Sequence, residues 1–146
     1  MKKSVTVSPE DTVESVLKTI RKAKVSVAGV IDEKGILLGI FSMKALLQNL
    51  IPVSVAMADG VQLDIKMTAA PGVAKRLTNM QTLPVSDIMD RKPLTVVPDT
   101  PIWEGVSLLV KHGGPLVVAD DTGRFHGFIT YDSFVEDLEN MKTTDS

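Results

Sequence analysis

The sequence contains no cysteine among its 146 residues, which excludes a disulfide, a thiolate zinc site and a cysteine nucleophile. Aromatic residues make up only 4% and the formal net charge is −2. The protein therefore has no overall electrostatic attraction for nucleic acid or anionic lipid. No apolar run is long enough to span a bilayer, and MKKSVTVSPEDT lacks the apolar core of a signal peptide. We therefore expect a soluble, cytoplasmic protein, folded as one compact unit or as two small halves that share a core.

Signatures of catalysis are also missing. The sequence has no Walker lysine loop, nucleophile elbow, HExxH motif or long Gly-rich dinucleotide fingerprint. Its two histidines, His112 and His126, have no Cys, His or paired carboxylate at ligand spacing. We expect no enzymatic activity, no catalytic cofactor and no metal site.

Two similar stretches stand far apart in the chain. GIFSMKAL begins at Gly39 and GFITYDSF at Gly127, while TVSPEDTVE and TVVPDTPIWE precede them around Pro9 and Pro98. The glycines are 127 − 39 = 88 residues apart and the prolines 98 − 9 = 89. A single deletion in one loop accounts for the one-residue difference, so the chain is predicted to contain a structural repeat.

Each repeat carries the same order of secondary-structure signals. Asp11 and Thr100 match and are expected to cap a helix, with Glu14 at capping-box spacing in the first repeat and Pro101 at the first helical position in the second. Trp103, in the first turn of that second helix, is expected in the core or at an interface. Apolar residues at helical spacing follow each cap: Val13, Val16, Leu17 and Ile20, and then Ile102, Val106, Leu109 and Val110.

Two strands and a second helix complete each repeat. VSVAGVID and PLVVADD are short β-branched runs, closed by the turns DEKG and DDTG, and ILLGIF and RFHGFI are the returning strands. The closing helices match Leu46, Leu47 and Leu50 with Phe134, Val135 and Leu138. Each repeat is therefore predicted to run strand, helix, strand, strand, helix, and the two repeats to pack sheet against sheet.

The segment between the repeats breaks this pattern. We assign residues 1–50 to the first repeat, 86–146 to the second and 51–85 to an insert with a short helix from Val73 to Met80. Connections of this length are functional or mobile when they occur in compact domains. Methionines at positions 43, 57, 67 and 80 suit gap-filling against a neighbour or ordinary packing.

The motifs resemble those of a known family. VSDIMDRKPLTVVPDTPIWEG leads into the second repeat, and Gly-h-h-[Ser/Thr]-x-x, with h apolar, closes both. On these motifs the chain resembles a stand-alone tandem CBS-domain pair, or Bateman module. The resemblance implies an α+β (α/β) fold of two βαββα repeats related by pseudo-twofold symmetry. It also implies a regulatory, signalling module without catalysis that binds an adenosine-containing ligand (AMP, ADP, ATP or S-adenosylmethionine) between the repeats. Such modules often form homodimers and act on a separate partner; neither DNA binding nor membrane insertion is expected.

The resemblance also implies a set of ligand-binding residues. In the family the closing motif continues to an Asp that accepts hydrogen bonds from ribose, and its hydroxyl helps to hold phosphate or ribose. The hydroxyls are present here as Ser42 and Thr130, but Ala45 and Ser133 stand at the Asp positions. The second repeat keeps the family's proline before the strand and is the better candidate. The implied ligand-binding residues are Thr6, Val7, Ser42, Lys44, Thr95, Val96, Pro98, Pro115, Gly127, Thr130, Asp132 and Ser133.

Several of these residues also have structural interpretations. Ser133 and Glu136 fit a capping box, Asp132 suits the first turn of a helix, and Lys44 suits a solvated surface. Three functional hypotheses therefore stay open. The module senses an adenine nucleotide, or it has lost that ligand and serves as a dimerisation or docking scaffold, or it binds another ligand with the insert over the cleft.

Overall fold

The structure is a computed structural model that describes residues 4–50 and 71–144. The βαββα order occurs twice, as predicted, and the helix predicted between the repeats is present as α3. The elements in chain order are β1 (Thr6–Val7), α1 (Val13–Ala23), β2 (Val27–Ile31), β3 (Leu37–Ser42), α2 (Met43–Leu50), α3 (Pro71–Met80), a 3-10 turn (Val85–Asp87), β4 (Thr95–Val96), α4 (Ile102–His112), β5 (Leu116–Ala119), β6 (Phe125–Ile129) and α5 (Tyr131–Thr144).

Each repeat builds one three-stranded sheet of the same topology. The strand orders are β1-β2-β3 and β4-β5-β6, with the first pair parallel and the second antiparallel in both sheets. Each antiparallel pair contains a register shift at the matching place, between Val30 and Ile31 and between Val118 and Ala119. The repeat predicted from sequence is therefore a repeat in three dimensions.

The two predicted turns close the antiparallel pairs through one side chain each. The carboxylates of Asp32 and Asp120 accept hydrogen bonds from the backbone N–H groups two and four residues later, at 2.8 and 3.0 Å in the first turn and at 3.0 Å for both in the second. Gly35 and Gly123 end these turns with φ values of +84° and +87°, which residues with a Cβ rarely adopt. The Asp-x-x-Gly pattern thus fixes both hairpins.

The sheets face each other across an apolar layer. A hydrogen bond from Leu37 N–H to Gly123 O (2.9 Å) and another from Phe125 N–H to Gly35 O (3.0 Å) join the two turns. The Phe125 ring lies over Gly29, where a Cβ would be only 2.9 Å from Phe125 Cε2. The residues of this layer are Val27, Ile40, Val117, Ala119 and Phe128, with Leu37 and Phe125 packed against them.

The first helix is capped one residue later than predicted. The cap of α1 is Thr12, whose hydroxyl accepts the N–H of Ser15 at 3.2 Å. The Asp11 carboxylate instead accepts the N–H of Ser8 at 3.0 Å. The predicted capping role of Asp11, and with it the capping box to Glu14, is wrong because the chain must turn after β1 and that earlier N–H is within reach of Asp11.

Thr100 behaves like its counterpart in the first repeat. Its hydroxyl accepts the N–H of Val97 at 3.1 Å, so it closes a turn and does not cap α4. Pro101 occupies the cap position with an extended backbone, and the helix begins at Ile102. The match between Asp11 and Thr100 is therefore right, whereas the predicted role is wrong for both.

Residues 81–90, here called the lead-in segment, connect α3 to the second repeat and pair with the first. Val13 N–H donates to Leu83 O at 2.9 Å. Further along, Ile40 and Asp90 exchange both backbone hydrogen bonds, at 2.9 and 2.8 Å. The lead-in segment thus holds the start of α1 and the outer edge of β3.

The lead-in segment and α3 also complete the core of the first repeat. This core therefore continues beyond residues 1–50, and the division of the chain into 1–50, 51–85 and 86–146 stays a prediction. Met80 is buried here as a packing residue, whereas Met57 and Met67 lie outside the described residues. The buried side chains that α3 and the lead-in segment contribute are Met80, Val85, Ile88 and Met89.

We expect Gly29→Ala to destabilise the protein by about 1–3 kcal/mol, because the new methyl group overpacks against Phe125. Phe125→Leu in the same chain should recover part of that loss, as measured by urea denaturation. Gly39→Ala is the control, since its Cβ would lie 2.7 Å from the backbone oxygen of Asp90. Phe125→Leu should not rescue it. Equal rescue of both variants contradicts the proposed sheet packing.

Candidate functional site

A cleft lies between the two repeats, and both contribute to its walls. It encloses about 320 Å³. We call it the inter-repeat cleft. Its lining residues are Ser26, Val27, Ile40, Ser42, Met43 and Lys44 from the first repeat, and Asp90, Pro93, Leu94 and His112 to Pro115 from the lead-in segment and the second repeat.

One wall is the N-terminal end of α2. The Ser42 hydroxyl accepts the N–H of Ala45 at 3.1 Å and so caps this helix. Lys44, exposed in the first turn, lies in the same wall, and no acidic residue occupies that turn. Backbone N–H groups at a helix start and a nearby ammonium both favour an anion. This end of the cleft can therefore receive a negatively charged group.

The opposite wall is the connection from α4 to β5. The helix ends at His112, and Gly113 follows with φ +76°. Pro115 then precedes β5, whose first residue, Leu116, pairs with Ile129. The cleft therefore sets the closing motif of the first repeat beside the strand start of the second.

Thr130 and Ser133 bond to each other at the start of α5. The Thr130 hydroxyl accepts the N–H of Ser133 at 3.2 Å, and the Ser133 hydroxyl lies 2.9 Å from the N–H of Thr130. Ser133 is the third residue of α5, so the predicted capping box from Ser133 to Glu136 is wrong and Thr130 is the cap. Asp132 is exposed in the first turn of the same helix.

The remaining predicted residues lie at several places. Thr95 lies with Asp120 in a cavity of about 270 Å³, and Val96 and Pro98 line a groove of about 350 Å³ beside α4 and α5. A surface cavity of about 610 Å³ beside the first hairpin turn is lined by Thr6 and Val7. Gly127 is buried within β6. Of the predicted set, Ser42, Lys44 and Pro115 share the inter-repeat cleft.

The sequence reasoning missed part of the cleft lining. Asp90 is the last residue of the lead-in segment, Pro93 and Leu94 follow it, and His112 comes from the end of α4. The feature that could have pointed to these residues is the pseudo-twofold symmetry of the repeats. This symmetry places the closing motif of one repeat opposite the other repeat.

A side-chain pair lies at the second hairpin. His126 Nε2 is 2.9 Å from Asp120 Oδ2, and the Thr122 hydroxyl donates to Asp120 Oδ1. The Thr122 and His126 hydrogen bonds, with the backbone N–H groups of the turn, hold the pKa of Asp120 well below its ordinary value. The pair therefore fixes the turn and keeps that carboxylate ionised.

A sequence profile of the CBS domain matches residues 1–52 and 85–140, which is most of the chain. The chain belongs to the CBS-domain family. Its two matched segments form a tandem CBS pair. An uncharacterised protein of Methanocaldococcus jannaschii is 28% identical over 147 residues, covering 94% of this chain and 88% of that protein.

Solved structures of CBS proteins share this fold. The CBS-pair protein CBSX2 of Arabidopsis thaliana has a TM-score of 0.70 at 24% identity, covering 96% of this chain and 89% of that one. A structure of CBSX2 in complex with AMP has a TM-score of 0.67 at 23% identity, covering 97% and 91%. The cytosolic domain of the Mg²⁺ channel MgtE in complex with ATP has a TM-score of 0.60 at 27% identity, covering 92% of this chain and 44% of that one.

Two further observations concern the described part of the chain. Across residues 4–50 and 71–144, none of the helices combines the length and the apolar character that crossing a membrane requires. The same residues contain no group of three or more His, Asp or Glu side chains placed to hold a metal ion.

We expect Thr130→Ala and Ser133→Ala each to lower the free energy of unfolding by about 1 kcal/mol, because each removes one of the cap hydrogen bonds of α5. The double variant should lose less than the sum, since both residues act in one cap. Urea denaturation gives the three values, with Thr130→Ser as the conservative control. Additive losses contradict the reciprocal cap.

The lowered pKa of Asp120 predicts a stability change only in acid. Its contribution is present above the unfolded pKa of about 3.9 and is lost as the pH falls through the lower folded pKa. The difference in Tm between wild type and Asp120→Asn should therefore be present at pH 5 and shrink below about pH 4. A difference that stays the same from pH 5 to below about pH 3 contradicts this assignment. Thermal unfolding across the pH series measures it.

Proposed function

We propose that the chain is a regulatory module that binds an adenosine-containing nucleotide in the inter-repeat cleft. The ligand class is AMP, ADP, ATP or S-adenosylmethionine. The observation that carries the proposal is that Ser42 and Lys44, at the start of α2, share one cleft with Pro115 of the other repeat.

The charge distribution favours the phosphate end of a nucleotide at α2. Its first turn carries Lys44 and no acidic residue, whereas the first turn of α5 carries Asp132. An anion is stabilised by helix N–H groups and an ammonium and is repelled by a carboxylate. This assignment puts the phosphate beside the first repeat, although the second repeat is closer to the family pattern.

The rest of the cleft suits a nucleoside. Val27, Ile40, Leu94 and Pro115 supply apolar surface for a base, and a volume of about 320 Å³ is at the lower end of ordinary ligand pockets, roughly 300–1,000 Å³. Ala45 cannot bind ribose hydroxyls. We assign that role to Asp90, which lies in the same lining and whose carboxylate accepts only one hydrogen bond among those described, from Lys92 N–H at 2.9 Å.

The ligands in the names of two similar structures support this choice. Those names describe CBSX2 in complex with AMP and the MgtE cytosolic domain in complex with ATP. By analogy, the ligand class of this chain is an adenine nucleotide.

Regulation follows if the ligand binds one arrangement of the repeats more tightly than another. We propose that this chain forms a homodimer in the cytoplasm and passes the change to a separate partner protein, without catalysing a reaction. Trp103, which is 81% exposed, and Val110, which is 71% exposed, lie on one stripe of α4 and suit the dimer contact. Trp103 is therefore not a core residue, and its predicted interface role belongs to this proposal.

We expect saturable stabilisation by at least one nucleotide in a thermal-shift and calorimetry panel of AMP, ADP, ATP, S-adenosylmethionine and adenosine. At a free concentration of 100 Kd, binding adds about 2.7 kcal/mol to stability, or roughly 5–10 °C in Tm for a chain of this size.

Lys44→Gln should weaken ATP binding by about tenfold and leave adenosine unchanged, because one favourable charge contact to phosphate is worth roughly 1–2 kcal/mol. Asp90→Ala should weaken the binding of both ATP and adenosine. Lys34→Gln, on an exposed hairpin turn, is the matched charge control. If no compound of the panel binds, or if Lys34→Gln weakens ATP binding as much as Lys44→Gln, the assigned cleft is contradicted.

A second function is favoured by a specific observation. Ala45 removes the family's ribose contact from one repeat, and Ser133 is engaged in the cap of α5 in the other. A pair with degenerate sites would serve as a dimerisation or docking scaffold. Its signature is a dimer by sedimentation together with no response to any nucleotide. A cleft adapted to some other ligand would instead respond outside the adenine panel.

A further inference from the structure

The second repeat contains an apolar groove that the nucleotide proposal does not use. It lies between α4 and α5, on the helical side of the sheet and away from the inter-repeat cleft, and encloses about 350 Å³. We call it the α4–α5 groove. Its principal apolar lining residues are Val96, Pro98, Ile102, Ile129, Phe134 and Leu138.

The matching place in the first repeat is filled. Val13 is fully buried there, whereas its counterpart Ile102 is 39% exposed. The filling comes from α3 and the lead-in segment, through Met80, Val85 and Ile88. Within the described part of the chain, the apolar cluster beneath the α4–α5 groove is formed by second-repeat residues. The segment that fills this place in the first repeat, α3 with the lead-in segment, therefore indicates what kind of segment would fit the α4–α5 groove of the second repeat.

The second groove is also more open at its base. Gly105 stands on α4 where the first repeat has Val16, and among the described residues a Cβ at Gly105 would meet Phe134 alone, at 3.8 Å. Glycine inside a helix is less favourable than alanine. The missing side chain leaves room in the groove for one from an incoming segment.

The polar group at the rim differs between the repeats. In the first repeat Asn49 Nδ2 donates to Ile88 O at 3.3 Å, and Arg76 donates to the backbone oxygens of Asn49 and Leu50, at 3.3 and 3.0 Å. In the second repeat the counterpart of Asn49 is Asp137, which lines the groove. An ionised carboxylate only accepts hydrogen bonds. An arriving arginine would therefore meet the Asp137 side chain.

Of the charged residues of α4 and α5, Asp137 lies in the lining of the groove, together with His126 from β6. An apolar groove with a carboxylate at its rim is complementary to a helix that has an apolar face and a basic residue beside it.

We propose that the α4–α5 groove is a docking site for a partner protein that inserts a short amphipathic helix and turn. The inserted segment has the pattern of residues 71–90 of this chain, with apolar side chains at the positions of Met80, Val85 and Ile88. A basic residue at the position of Arg76 pairs with Asp137. This surface is separate from the nucleotide cleft and does not depend on it.

The probe is a fluorescein-labelled synthetic peptide with the sequence of residues 71–90, added to the full chain and followed by anisotropy. We expect saturable binding that Ile102→Asp and Leu138→Asp each weaken at least tenfold. Leu47→Asp, at an exposed position on α2, is the matched control and should leave binding unchanged. Circular dichroism and Tm verify that each variant is folded. Gly105→Leu is a second test, because it fills the groove without adding charge and should also abolish binding.

The basic contact has its own test. Asp137→Asn should weaken binding of the peptide by about threefold to tenfold. It should not change the binding of a peptide that has glutamine at the position of Arg76. Absence of saturable binding, or binding that survives both Leu138→Asp and Gly105→Leu, overturns the proposal. Sedimentation showing that Leu138→Asp converts a dimer to a monomer also overturns it, because the occupant would then be another molecule of this chain.

Discussion

The structure depends on the docking of the lead-in segment against the first repeat. Ile40 and Asp90 exchange two backbone hydrogen bonds, and Val85 from the same segment is fully buried. A backbone group left unpaired in such a place carries a large desolvation cost. Because Asp90 and the following Pro93 also line the inter-repeat cleft, one stretch of chain completes the first core, positions the second repeat and shapes the candidate binding site.

The docking of the lead-in segment also explains why the first helix is more deeply buried in the first repeat than in the second. The first repeat receives α3 and the lead-in segment and buries Val13, Val16, Leu17 and Ile20 on α1. In α4 the buried residues are Gly105 and Leu109. Burial of an apolar side chain contributes about 1.5–3 kcal/mol relative to exposure. We therefore expect the first repeat to be the more stable half, with the more exposed helices of the second left for contacts with other molecules.

Much of the fold could be predicted from the sequence because its signals are local. The Asp-x-x-Gly turns, the β-branched runs beside them and the helical spacing on α1 each depend on nearby residues, and the structure confirms them. The capping roles of Asp11 and Thr100 could not be resolved in this way. Each has a backbone N–H three residues behind it in the sequence and another three residues ahead, and only the path of the chain decides between them.

The candidate site was harder to predict than the fold. Ser42, Lys44 and Pro115 were named, but their meeting in one cleft depends on how the two sheets face each other. Asp90 lies in the motif VSDIMDRKPLTVVPDTPIWEG, but it enters the cleft only because its backbone pairs with β3. Ser133 matches a capping pattern that starts with it, yet it lies inside the helix that Thr130 caps. Long-range packing, which no local pattern encodes, decided each case.

The outer edges of the strands have a consequence for solubility and assembly. Asp90 and Gly123 occupy the free side of β3, Ser4 and Gly35 accept hydrogen bonds from β6, and β1 and β4 are only two residues long. Exposed edges are the usual starting points for uncontrolled sheet extension between molecules. With these edges short or already paired, neighbouring chains have little opportunity to join by adding strands. Assembly is left to helix surfaces, where side-chain shape and charge select the partner.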